Sequence, residues 1–205
     1  MKKISGYLVV LVTGMMLISF SSCFEKDTTQ PVTLSAQEAN DLLFIREEEK
    51  LAMDIYTYAY SLYGNVAFGN ISSSESTHTN RVLSLITKYS LADPVGNNPA
   101  GVFTNPDLQL LYNQLKAKVD SSESSALYVG ATIEDLDIFD LNRLEKNTQK
   151  TDILNVYAAL KCGSRNHIRA FVGQLGTYTP QFLSMEEYLL IIQGEHEQCG
   201  RYLSK

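Results

Sequence analysis

Apolar residues recur at steps of three and four along four long stretches of the chain, the spacing of one buried helix face. Ser35 followed by Glu38 forms a capping-box pattern and opens the first, which runs to about Tyr63 and stops at Gly64. The second covers roughly Val66 to Leu91 and the third about Ser124 to Lys146. Thr151 is the expected cap of the fourth, which continues to Leu175 and ends at Gly176. Two shorter helices are predicted. Asn105-Pro106 starts one over Asp107 to about Val119, and Ser184 with Glu187 opens a last one to about Gln198. The stretch "ADPVGNNPAG" between the second and third long segments reads as a loop. Nothing alternates with the period of a strand, so the expected fold class is all-α.

The connections order these helices. Tight turns join the first pair of long helices and the last pair, so each pair should be antiparallel. The long connection between the second and third lets the chain cross from end to end. Four long helices with one such crossover, plus a short crossover helix and a C-terminal helix, form the ferritin-like four-helix arrangement.

Each apolar stripe is broken near its middle. The first reads Ile45, Glu49, Ala52, Tyr56, and the second Ile71, Glu75, His78, Val82. The third reads Ala131, Glu134, Asp137 with Ile138, Leu141, and the fourth Leu160, Ser164, His167 with Ile168, Phe171. Glu49 and Glu75 lie about 16 and 10 residues from the first turn, and Glu134 and His167 about 15 and 18 from the last. At about 1.5 Å of rise per residue these groups share one slab of the bundle, within one or two turns. Glu75 and His78, three apart on a helix, can face one ligand. Buried carboxylates each lose several kcal/mol of solvation and repel one another, and divalent cations would offset both costs. Oxygen and imidazole donors without thiolate suit iron, manganese or zinc.

Composition narrows the classes. Of 205 residues 44% are apolar and 20% charged, which suits one globular domain. The net charge of −6 argues against a nucleic-acid partner. Residues 1–22 carry two lysines, an apolar run from Tyr7 to Phe20 and the pair Ser21-Ser22 before Cys23. The run is short for a membrane span and fits an export signal. It resembles the lipobox of bacterial lipoproteins, departing at Phe20 where leucine is usual. The resemblance implies a signal peptide over 1–22, a lipid on Cys23, a polar tether over 23–34 and the folded domain over 35–205. The chain would then sit on the cell envelope, periplasmic or surface-exposed, with the membrane as its partner. Export would permit a disulfide between Cys162 and Cys199, and two free core cysteines are the alternative.

Several phrases carry a second resemblance. "EKLAMDIY" (49–56) is similar to the E-x-x-A-x-x-x-Y of first helices in bacterioferritins and rubrerythrins, "ESTH" (75–78) to their E-x-x-H, and "EDLD" (134–137) to the third helix of rubrerythrins. Together with "FIREEEKLA", "VFTNPDLQLLY", "IEDLDIFDL" and "GSRNHIRAF", they make Ala36 to Ile192 resemble an uncharacterised prokaryotic family of ferritin-like domains. The resemblance implies Glu49, Glu75, His78, Glu134 and His167 as metal ligands. The fourth helix departs from it, because Ser164 stands where a glutamate is expected, and Asp137 is then the substitute carboxylate. Two iron ions are the implied cofactor, with manganese or zinc as alternatives. The implied activity is that of an oxidase, ferroxidase or peroxidase. There is no C-x-x-C pair, so a rubrerythrin-style electron supply requires a separate donor protein. A homodimer is the expected assembly. A lipid-anchored bundle that holds metal without turnover, or a purely structural bundle, are the competing readings.

Individual residues read two ways. Glu47, Glu48 and Glu49 form a run of the kind that usually lines a solvated face. Only one or two can turn inward, and Glu48 competes with Glu49 as the ligand. Tyr56 is either a catalytic donor or radical trap beside the metals, or a packed tyrosine. Tyr157 carries the same pair of readings as a supporting residue. Arg165 either holds a ligand carboxylate or is exposed. His196 lies off the stripe, and Asp135 and Asp140 are expected to face solvent.

Overall fold

The computed structural model describes residues 33–200. The signal-like segment, Cys23 and nearly all of the tether lie outside the described residues. Among those described there are six α-helices, one short 3-10 turn (Glu145–Asn147) and no strand. The helices are α1 (Ala36–Tyr63), α2 (Val66–Lys88), α3 (Pro106–Val119), α4 (Glu123–Leu144), α5 (Thr151–Leu175) and α6 (Met185–Gln193). No described helix is long and apolar enough to cross a membrane.

Both capping boxes form, Ser35 with Glu38 and Ser184 with Glu187. Asn105 accepts from the backbone N–H groups of Asp107 and Leu108 ahead of Pro106. Three boundaries differ from expectation. α2 ends at Lys88, short of Leu91, because the chain turns through Ser90 at φ 55°. The residue capping α5 is Lys150 rather than Thr151, and the nearby Thr148 hydroxyl accepts from the Lys150 N–H. α6 stops before Gly194, where the backbone becomes extended, instead of reaching Gln198.

α1 packs along α2, and α4 along α5; α1 also meets α4, and α2 meets α5. α3 lies against α1 and α4. The apolar interior falls into two clusters. One holds Leu51, Ile55, Tyr56, Phe68, Ile71, Ile133 and Phe171. The other holds Leu42, Ile45, Val82, Ile86, Leu141, Tyr157 and Leu160. Along α1, α2, α4 and α5 the ionisable residues of the broken stripes fall between the members of the two clusters. Tyr157 is fully buried in the second cluster, which favours its packed reading.

The charged run of α1 corrects the sequence expectation. Arg46, Glu47, Glu48, Glu49 and Lys50 are all buried. The crossover after α2 folds back over α1 and uses these charges. Arg46 pairs with Asp93 at 3.0 Å. Glu47 accepts the backbone N–H groups of Thr104 and Asn105. Lys50 binds Asp54 and the Pro99 carbonyl and lies 4.5 Å from the Phe103 ring centre. A run that reads as a wet helix face is therefore the foundation of a loop. Asp135 and Asp140 are also buried instead of solvent-facing. Asp135 accepts the Tyr178 hydroxyl and the N–H groups of Gln181, Phe182 and Leu183, which anchors the connection between α5 and α6. Asp140 accepts from Arg143.

Cys162 and Cys199 form a disulfide, with Cα atoms 5.5 Å apart, so the first of the two cysteine readings holds. The bond ties the segment after α6 back onto α5.

Candidate metal centre

The broken stripes converge. Glu49 comes from α1, Glu75 and His78 from α2, Glu134 and Asp137 from α4, and Ser164 and His167 from α5. All are 7% exposed or less. His78 Nδ1 lies 2.8 Å from Glu75 Oε2 and 3.2 Å from Glu49 Oε2. His167 Nδ1 lies 2.7 Å from Glu75 Oε1 and 3.5 Å from Glu134 Oε2. The imidazoles stack with centres 5.5 Å apart. Two trios result, Glu49–Glu75–His78 and Glu75–Glu134–His167, each with donor atoms within 4.8 Å of one another. Glu75 belongs to both and presents a different oxygen to each imidazole.

Donor atoms left without partners test whether these residues fit a cation. Glu49 Oε1, Glu75 Oε1, Asp137 Oδ1 and His167 Nδ1 are buried and make no hydrogen bond. Glu75 Oε1 and His167 Nδ1 approach to 2.7 Å, yet not in hydrogen-bonding geometry. Buried polar atoms are ordinarily satisfied. Buried carboxylate and imidazole atoms that crowd together with hydrogen-bonding capacity unmet suit a positive ion between them, and the oxygen–imidazole donor set suits a first-row transition metal.

The surrounding residues differ in how they serve this centre. The Tyr56 hydroxyl donates to Glu134 Oε1 at 2.6 Å and also reaches the Gly130 carbonyl, which fixes one Glu134 oxygen. The Ser164 hydroxyl lies within hydrogen-bonding reach of Asp137 and of the Leu160 carbonyl, so Asp137 is engaged by the residue that departs from the expected pattern. Glu48 is buried with no hydrogen bond on either oxygen, yet belongs to neither trio. Arg165 pairs with Glu197 at 2.6 Å. His196 lines a cavity beside His78 and His167.

Two residues of the centre escaped sequence reasoning. Gly163 lies against His78, and a Cβ there would sit 2.4 Å from Cε1 of that ring. A glycine on the inner face of a long helix, between Cys162 and Ser164, is the only signal available. Ser74 Oγ is 3.0 Å from His167 Nε2 and so holds the far side of that ring. Its one cue is its place just before Glu75.

Residues 38–195 match the family described as Uncharacterized protein domain (DUF2202). The chain belongs to this family. It is 48% identical over 173 residues to the uncharacterized protein MJ0754 of Methanocaldococcus jannaschii, a match covering 82% of this chain and 92% of that protein. The crystal structure of hypothetical protein MJ0754 superposes with a TM-score of 0.79, covering 80% of this chain and 96% of that one.

The electrostatics of this DUF2202 chain follow from burial and proximity. Burial opposes the charge on Glu75, but His78 and His167 outweigh it and hold the carboxyl well below its usual range. Burial likewise opposes charge on the imidazoles. Glu75 and Glu49 overcome it at His78, which is raised well above its ordinary value; Glu75 and Glu134 raise His167 to about 10. Carboxyls without such compensation go the other way. Burial first, then Glu134, pushes Asp137 up to about 8. Burial also raises Glu48, Glu49 and Glu134.

These shifts set the pH dependence of the metal-free protein. Raised carboxyls and raised histidines all hold protons in the folded chain that the unfolded chain releases at lower pH. Stability is then highest below those unfolded values and falls as pH rises through the folded ones. Glu75, shifted down, acts only in acid below its ordinary range. Metal-free protein is expected to lose thermal stability from pH 5 to pH 9, most steeply between about 6.5 and 8, where unfolded histidines have lost their protons and folded Asp137 still keeps its own. Thermal unfolding by circular dichroism measures this. A stability that rises over the interval would contradict the burial of these groups.

Proposed function

We propose that the chain is a ferritin-like four-helix bundle that holds two metal ions, most favourably iron, and acts as an oxidase, ferroxidase or peroxidase. The observation that carries the reading is Glu75, whose two oxygens each face an imidazole in a separate trio. Glu49 and His78 would hold one metal, Glu134 and His167 the other, with Glu75 between them. Bound iron would supply electrons for reduction of dioxygen or peroxide. The chain's own residues would do the rest. The two apolar clusters keep bulk water away, Tyr56 orients Glu134, and Ser74 orients His167. Tyr56 also sits close enough to Glu134 to pass a proton to it.

A second reading, metal holding without turnover, is favoured by one contact. Ser164 occupies the position at which a further carboxylate is expected, and its hydroxyl engages Asp137. The cell envelope is the proposed location, with a lipid on Cys23. The Cys162–Cys199 disulfide supports an oxidising compartment. A separate electron donor and a homodimer complete the proposal.

The experiment is a metal count by mass spectrometry on the untagged domain, then anaerobic Fe(II) titration and a pulse of air. About two metals per chain, with absorbance growing near ~300–370 nm after oxygen, is the result expected of an iron oxidase. Tight metal with no response to oxygen selects the holding role, and absence of metal binding removes both.

A further inference from the structure

His78 differs from His167 in one respect. A histidine that ligates metal through one nitrogen ordinarily donates its other N–H to a fixed acceptor. His167 has Ser74 for this purpose. His78 turns Nδ1 toward Glu49 and Glu75, and its Nε2 has no hydrogen-bond partner among the described residues. That nitrogen lies beside Gly163, and both residues line a cavity of about 360 Å³.

The same cavity holds Arg81, one turn beyond His78 on α2 and part-buried. Among the described residues it forms no ion pair. His196 adds another nitrogen donor at the rim. The one carboxylate in the lining, Glu197, is neutralised by Arg165 and Arg169 at 2.6 and 2.9 Å. The roof is fixed. The Cys162–Cys199 disulfide and two hydrogen bonds between Asn166 and the Glu197 backbone hold it against α5. The lining thus includes a histidine whose Nε2 has no hydrogen-bond partner, and an arginine with no counter-ion, among the described residues.

We propose that this cavity binds a small oxyanion of the phosphate or carboxylate class, which accepts from His78 Nε2 and is neutralised by Arg81. The anion supplies the acceptor that Ser74 supplies to His167. Occupancy would orient His78 and make its Nδ1 a more basic ligand for a metal held with Glu49 and Glu75.

The test uses the exported chain with its disulfide intact, both metal-free and loaded with zinc. Inorganic phosphate and acetate are titrated separately at constant ionic strength, with chloride as the control. Heat of binding and the ring ¹⁵N–¹H resonance of His78 are followed. The expected result is saturable binding of one or both oxyanions that shifts the His78 resonance, weakened at least about tenfold by Arg81→Gln. Phosphate alone saturating identifies a tetrahedral anion, and acetate alone a carboxylate. No saturable binding of either, or binding that leaves the His78 resonance unmoved, overturns the proposal. The wild-type resonance decides even if the variant folds poorly. Anion binding in a chain that takes no zinc would leave this inference standing and remove the metal centre; zinc binding without anion binding would do the reverse.

Discussion

Glu75→Gln is expected to abolish binding of both ions of the proposed two-metal centre, whereas Glu49→Gln and Glu134→Gln each abolish one. The asymmetry comes from placement. Glu75 Oε2 faces His78 and Oε1 faces His167, so one carboxylate completes both trios, while Glu49 and Glu134 each serve a single trio. Glutamine keeps the shape but removes the charge and turns one acceptor into a donor aimed at an imidazole. Loss of even a supporting residue costs about 10–100-fold in metal affinity, and loss of a shared ligand should exceed that. The metal-free variant should also be less stable than the metal-free parent. Both raised imidazoles would then lose their common counter-charge, and breaking a buried ion pair costs about 3–5 kcal/mol. Glu75→Ala with His78→Ala removes charge of both signs, and should abolish metal while keeping helical circular dichroism. Metal per chain by mass spectrometry is the measurement. A Glu75→Gln protein carrying the parent's full metal content would rule out the bridging role.

Gly163→Ala should damage the same centre through packing alone. The added Cβ would lie 2.4 and 2.5 Å from Cε1 and Nε2 of His78, well inside van der Waals contact. The ring cannot simply swing away, because Nδ1 is held by Glu75 and Glu49 on the other side. Either His78 leaves its trio or α5 moves off α2. Overpacking of this kind costs about 1–3 kcal/mol, a fall of several degrees in melting temperature for a domain of this size. Metal affinity of the Glu49–Glu75–His78 trio should fall with it. Gly173 supplies the contrast within the same helix, since a Cβ there meets nothing within 4 Å. Gly173→Ala should stabilise by about 0.5–1 kcal/mol through helix propensity and leave metal binding unchanged. Thermal unfolding of the two variants should move in opposite directions. A Gly163→Ala protein with the parent's melting temperature and metal content would show that α5 and His78 are not packed as described.

Helix positions were legible because their causes are local. Capping by Ser35, Ser184 and Asn105, and the stop at Gly64, depend on residues within one turn. The end of α6, expected near Gln198, has both a local and a non-local cause. Gly194 gives a local stop, and beyond it Arg165, Arg169, Asn166 and Cys162 draw residues 197–199 onto α5. The "REEEK" run of α1 was misread for a related reason. Periodicity tells which residues share a face, but not which faces a later loop will cover. Asp93, Pro99 and the N–H groups of Thr104 and Asn105 lie some fifty residues away in sequence, and only their return over α1 makes those charges interior.

By itself the sequence determined the helical class, the order of long and short helices, and the fact that every long stripe carries polar residues at a common depth. These follow from side-chain period and rise per residue, which need no knowledge of partners. Only the tertiary structure decided which oxygen of Glu75 meets which histidine and that Glu48 stands outside both trios. It also decided that Cys162 reaches Cys199 and that Gly163 makes room for His78. Those outcomes depend on distances of a few ångströms between helices far apart in the chain. A helical repeat specifies a face only to within a turn, so the contact between faces is settled by how the folded helices pack.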